Sequence, residues 1–255
     1  MARKSSPATI ASLFILFLMA ASPVLASLPF SIAVYRPSGV TLDGPKNLST
    51  LREMGFDGYY FNGHWAYEFI SPGWHDRNFP VWAEACAENN MTFIAGQYWV
   101  YGRELPFYYS TAVDQFGNVE PTTPSPISSG WWRNMIEAAA VHIANLSLRY
   151  PIWGIIWDVE LYDHKAFKHK YYSFDDEALQ GFAEDTGYEI PRLEPSQRRD
   201  WLRDHGLLEE FQRWEQNRAY QLAKEVADKV HAINPKLVLG FFPLEDVWFH
   251  WAVLK

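Results

Sequence analysis

Trp153-Gly-Ile-Ile-Trp-Asp-Val-Glu-Leu-Tyr162 is the stretch on which the reading of this chain turns. Its first five residues are nearly continuously apolar, as expected of a parallel strand covered on both faces, and two carboxylates follow two residues apart. Side chains alternate across a strand. Gly154, Ile156, Asp158 and Glu160 therefore share one face, and Trp157 and Val159 the other. Asp158 and Glu160 project together, about 6.5 Å apart along the backbone. Close carboxylates oppose each other's ionisation, so one keeps its proton to higher pH, as a general acid must. The plain alternative is a structural pair bonded to a nearby arginine or backbone amide.

Working outward, four more short apolar runs have the same character: Ile32–Tyr35, Gly58–Phe61, Thr92–Tyr98 and Leu237–Phe242. Helical patterns separate them. Leu48, Leu51 and Met54 recur at helical spacing before Gly55, and Val81, Trp82, Ala85 and Cys86 before Asn89-Asn90. Met135, Ile136, Ala139, Ile143 and Leu146 form a third stripe, with Ser128 or Ser129 available as its cap. Between the third run and that stripe, Ala112 to Val119 reads as a hairpin turning near Gly117. After the decisive strand comes an insertion. Ser173-Phe-Asp-Asp176 reads as a capping box for a helix ending at Gly187, Ser196 to His205 as a second helix, and Leu207 to Ile233 as a long third. The charges of Arg198–Asp204 and Glu209–Lys229 read as solvated faces.

Alternating strands and helices predict an α/β fold with a parallel sheet, either a barrel or a doubly wound sheet. No glycine-rich phosphate loop follows any strand, which favours a (β/α)8 barrel. Such a barrel needs eight strands in about 250 residues, and five are readable here. The expectation is an incomplete barrel over residues 27–255, truncated at its C-terminus, with a partner chain able to supply the missing strands.

Arg3 and Lys4 precede an apolar run from Ile10 to Ala21, and Pro23, Val24 and Ala26 give a small-residue cleavage pattern. Residues 1–26 thus read as a signal peptide on a secreted or extracytoplasmic domain; membrane attachment is expected only if the segment stays uncleaved. The chain has 255 residues and a formal charge of -8, which argues against a nucleic-acid partner because phosphate binding needs clustered Lys and Arg. A single cysteine, Cys86, excludes an intrachain disulfide, and its apolar helical setting favours burial over nucleophilic use. His164 and His169 with Asp163 miss the i, i+4 spacing of helical metal ligands, so neither metal nor cofactor is expected. Aromatic residues make up 17% of the chain, an excess that invites a ligand with flat apolar faces.

The decisive strand resembles the fourth-strand motif of chitinase-type glycosidases, Asp-Gly-x-Asp-x-Asp-x-Glu, through Gly154-Ile155, Asp158 and Glu160. Trp153 and Ile156 stand where that motif has its first two aspartates. More broadly the layout is similar to the superfamily of (β/α)8 glycoside hydrolases, including beta-galactosidase-like groups, whose acid/base Glu ends strand four. Those enzymes usually carry Asn before that Glu, where this chain has Val159. The segments from Tyr172 to Pro191 and from Ala232 to Pro235 also resemble theirs. The resemblance implies that Glu160 is the general acid/base and Asp158 its partner. It also implies a nucleophilic carboxylate on a seventh strand, which is not found in this sequence.

Barrel active sites lie at the carboxyl ends of the strands. That rule makes Tyr35, Arg36, Asn62, His64, Trp65, Gln97, Trp99, Tyr162 and Glu245 candidate substrate-binding residues, with Tyr101, Asp163, His164 and Asp246 near them. Aromatic faces stack on sugar C–H surfaces while Arg, Asn, Gln and His bond hydroxyls, so an oligo- or polysaccharide is the expected partner. The expected function is glycoside hydrolysis; the alternatives are a non-catalytic carbohydrate-binding barrel fragment and a non-sugar exported hydrolase with an unidentified nucleophile.

Overall fold

The computed structural model of the chain describes residues 29–31, 33–36, 45, 47–63, 73–99, 109–159, 172–241 and 248–253. The leader expected over residues 1–26 lies outside them. Five strands form one parallel sheet: β1 (Ala33–Arg36), β2 (Gly58–Gly63), β3 (Thr92–Trp99), β6 (Ile152–Val159) and β7 (Val238–Phe241), in the order β1-β2-β3-β6-β7. Each was legible as an apolar run. The predicted hairpin is present as β4 (Thr111–Val113) and β5 (Val119–Pro124), paired antiparallel.

The first helices, α1 (Leu48–Glu53) and α2 (Gly73–Glu88), cross over between strands. On α2 the buried residues Phe79, Trp82, Ala83 and Cys86 form one stripe at helical spacing. Val81, expected on that stripe, falls outside it and is 48% exposed. The Trp82 ring stacks on Tyr59 at 5.0 Å and on Phe61 at 5.1 Å, fixing α2 to one face of β2. Next come α3 (Ser129–Trp131), a π-helical stretch (Trp132–Glu137) and α4 (Ala138–Ser147), running without a break. Ser128 is the cap, its side chain accepting from the Trp131 amide, and all five residues of the predicted stripe are buried.

The insertion consists of α5 (Asp176–Thr186) and α6 (Pro195–Asp204), followed by the long α7 (Leu208–Ile233). The α5 cap is Asp175 and not Ser173. The Asp175 carboxylate accepts from the Ala178 amide, while the Ser173 hydroxyl donates to Asp175. A capping box does open α6, formed by Glu194 and Gln197 around Pro195. Buried Phe211, Ala219, Leu222, Val226 and Val230 seat α7 on the core. A short α8 (Trp248–Val253) follows the last strand and packs on α7.

Two expectations about charge need correction. Arg198 and Glu215 are not on solvated faces; both are buried, Glu215 completely. The Arg198 guanidinium is spent on the Phe174 and Leu193 carbonyls and on an ion pair with Asp176. Among the described residues no helix is long and apolar enough to cross a membrane.

Candidate functional site at the carboxyl end of the sheet

The two faces of the sheet bury different partners. Tyr59, Phe61, Phe93, Ala95, Ile155, Trp157 and Phe241 pack against the helices as one large core. Tyr60, Ile94 and Ile156 belong to a separate small cluster with Phe30, joined by Ala33 and Trp153. This second face is the inner one, which in a closed barrel becomes the interior. Register between β3 and β6 slips at Phe93/Ile94, where Phe93 pairs with Ile152 and Ile94 with Gly154. Trp153 is the extra residue. The bulge turns it inward, where it meets Phe30 edge to face at 5.3 Å and floors the inner cluster.

Above that floor the alternation predicted for β6 holds. Ile156 is inward, Trp157 outward among the helices against Trp132 at 6.1 Å, and Asp158 therefore inward again. Asp158 is 6% exposed and pairs in register with Tyr98, one residue before β6 ends at Val159. A buried carboxylate thus stands on the inner face at the carboxyl end of a central strand. Asp158 makes contacts of its own and is not an isolated charge.

The backbone brings several other candidates to the same end of the sheet. Tyr35 and Arg36 close β1 opposite Tyr60 and Phe61, Asn62 pairs with Gly96, and Trp99 closes β3 opposite Val159. Glu160, His64, Trp65, Tyr162 and Glu245 lie outside the described residues, as do Tyr101, Asp163, His164 and Asp246.

Gln97 is a correction. It was placed among the mouth residues because it falls near the end of β3, but its position has the parity of Phe93 and Ala95, which face the helices. It is fully buried, and its amide donates to the Ile136 carbonyl at 3.0 Å and the Met135 carbonyl at 3.5 Å. A π-helical turn leaves carbonyls poorly matched to their own helix, and Gln97 takes up two of them. Its work is to fix the π-helical stretch to the sheet.

The sequence reading missed a second group of buried polar residues. Asp175 and Glu215 lie away from the sheet's inner face, between the hairpin, the start of α5 and α7. A signal for Glu215 was present: it sits four residues after Phe211 and four before Ala219, in the middle of the apolar stripe of α7. Among the described residues no three His, Cys, Asp or Glu side chains gather as metal ligands would.

No protein-family model matches the chain, and no curated protein matches it. Solved structures do. A polyextremophilic beta-galactosidase from the Antarctic haloarchaeon Halorubrum lacusprofundi superposes with a TM-score of 0.55 at 11% identity, over 82% of this chain and 36% of that one. The catalytic domain of a beta-amylase from Paenibacillus polymyxa superposes with a TM-score of 0.52 at 12% identity, over 79% of this chain and 62% of that one. The chain spans little more than a third of the first and under two thirds of the second. At such identities the likeness is one of fold. The five parallel strands and their crossover helices correspond to part of the TIM-barrel fold of these two structures.

Proposed function

We propose that this chain engages a saccharide at the carboxyl end of its parallel sheet, with Glu160 as general acid/base and Asp158 as its electrostatic partner. The observation that carries this reading is the buried, inward Asp158 at the end of β6. By the alternation expected from the sequence Glu160 would share that face, and a charge at Asp158 would then oppose its ionisation and keep it able to protonate a departing glycosidic oxygen. Tyr35, Asn62, His64, Trp65, Tyr162 and Glu245 remain the substrate-binding candidates; Gln97 leaves that set, and so do Arg36 and Trp99, whose register positions have the helix-facing parity of Phe61 and Ala95. Hydrolysis also requires a second carboxylate across the bond, about 5–5.5 Å away for retention or 6.5–9.5 Å for inversion. Residues 1–26 would export the domain to where polysaccharides are met.

The test is Glu160→Gln, assayed for reducing-sugar release from a panel of oligosaccharides and by calorimetric titration with the same sugars. The expected result is a loss of release of at least about 100-fold with the melting temperature unchanged. Wild-type turnover in the variant sinks the acid/base role. Heat of binding without release by the wild type assigns carbohydrate binding alone.

A further inference from the structure

The Asp175 carboxylate is buried at the junction of four pieces of the chain. It accepts from the Ser110 hydroxyl at 2.6 Å, just before β4, and from the Ser173 hydroxyl at 2.6 Å, just before α5. The Ser125 hydroxyl after β5 and the Ala178 amide of α5 complete its partners. Ser173 extends the network in both directions: its hydroxyl accepts from the Val113 amide, and its own amide donates to Glu215 Oε1 on α7 at 3.1 Å. Glu215 Oε2 is buried and has no hydrogen-bond partner among the described residues.

Two carboxyls thus share one buried site. Among the described residues neither forms an ion pair. Nearby charges are committed elsewhere: Arg198 pairs with Asp176, Glu177 accepts from Ser129, and Asp114 holds its own turn through Phe116 and Asn118. Among the described residues Tyr172, bonded to Gln216 of α7, is the remaining titratable neighbour. Asp175, with four donors aimed at it, is the group equipped to carry the negative charge. Glu215, with one donor and an empty oxygen, is equipped to carry a proton.

We propose that this network is a proton-dependent clasp, holding the insertion on the hairpin and on α7 while Glu215 is protonated and loosening when Glu215 ionises. Burial, reinforced by the Asp175 charge, holds the Glu215 carboxyl well above the usual carboxylate range against the pull of the Ser173 amide. The sign follows. A carboxyl raised on folding contributes stability that is complete below its unfolded value, about 4.3, and is lost as pH rises through the folded value. Ionisation then places two charges in a site where no described residue supplies a cation, and the cheapest relief is to admit water by lifting Ser173 and the α5 cap.

Thermal melts of the full chain and of Glu215→Gln between pH 5 and pH 9 test this. The gap between the two melting temperatures should move by about 5 °C in favour of the variant as pH rises. A gap that stays constant across this range overturns the proposal. If the variant does not fold, amide exchange in the wild type decides. Corrected for intrinsic rates, opening of α5 relative to α4 should increase at least about tenfold between pH 6 and pH 9, one unit of linked protonation; a constant ratio overturns the clasp.

Discussion

The contact between the β4–β5 hairpin and the insertion can be tested with one methyl group. Gly117 turns the hairpin at φ +86°, and a Cβ built there would lie 2.3 Å from the Ser196 backbone nitrogen, 2.5 Å from its Cα and 2.6 Å from the Pro195 carbonyl carbon. All three are backbone atoms at the start of α6, so no side chain can rotate away. Nor can the turn swing aside, because Asp114 grips the Phe116 and Asn118 amides at 2.8 Å each. Gly187, after α5, has φ +78° and nothing within 4 Å of the same built atom. It is an internal control for the backbone cost alone. Placing alanine in the left-handed region costs about 1–2 kcal/mol, and forcing extra volume into a packed contact costs about 1–3 kcal/mol more. Gly187→Ala should therefore lose about 1–2 kcal/mol, and Gly117→Ala about 2–5 kcal/mol. Urea unfolding followed by tryptophan fluorescence, with matched slopes, measures both. Equal losses in the two variants would refute the packing of the hairpin tip on α6.

Other consequences are simpler to read. Burial pushes the Cys86 thiol up to about 12, so native protein at pH 8 should resist iodoacetamide while urea-unfolded protein labels within minutes; rapid native labelling, read by mass spectrometry, contradicts its burial in α2. Arg198→Met strips donors from the Phe174 and Leu193 carbonyls, and the buried Phe174 carbonyl alone implies a loss of about 1–3 kcal/mol. The exposed Asp176 partner adds little. A loss below about 0.5 kcal/mol in the same urea assay counts against this role for Arg198.

The strands were readable because a parallel strand covered on both sides must be apolar along its whole length, which marks Gly58–Phe61 and Trp153–Trp157 without reference to the rest of the chain. Alternation was equally local. It placed Asp158 with Ile156 and apart from Trp157 before any contact was known. The same rule, applied to β3, would have turned Gln97 outward with Phe93 and Ala95. It was instead assigned by its nearness to the strand end, and a strand end alone does not say which face a residue occupies.

Periodicity misled where the stripe was entered at the wrong residue. Val81 shares a turn of α2 with Trp82 but lies about 100° around the helix from it, and the stripe that reaches the sheet runs through Phe79, Ala83 and Cys86. Charge misled differently. Arg198 and Glu215 belong to residue types that are almost always solvated, so composition assigns them to the surface, although Glu215 occupies an apolar-stripe position.

By itself, then, the sequence determined the five parallel strands, the helices between them and the inward carboxylate of β6, because each follows from the period of a single element. Only the tertiary structure decided that Gln97 serves the π-helical stretch, that Arg198 ties the insertion down, and that Asp175 and Glu215 share a buried site. Those facts depend on segments brought together from distant parts of the chain. Residues 110, 125, 173 and 215 meet only after folding, and no local pattern records the cost of burying a carboxyl or the donors that offset it.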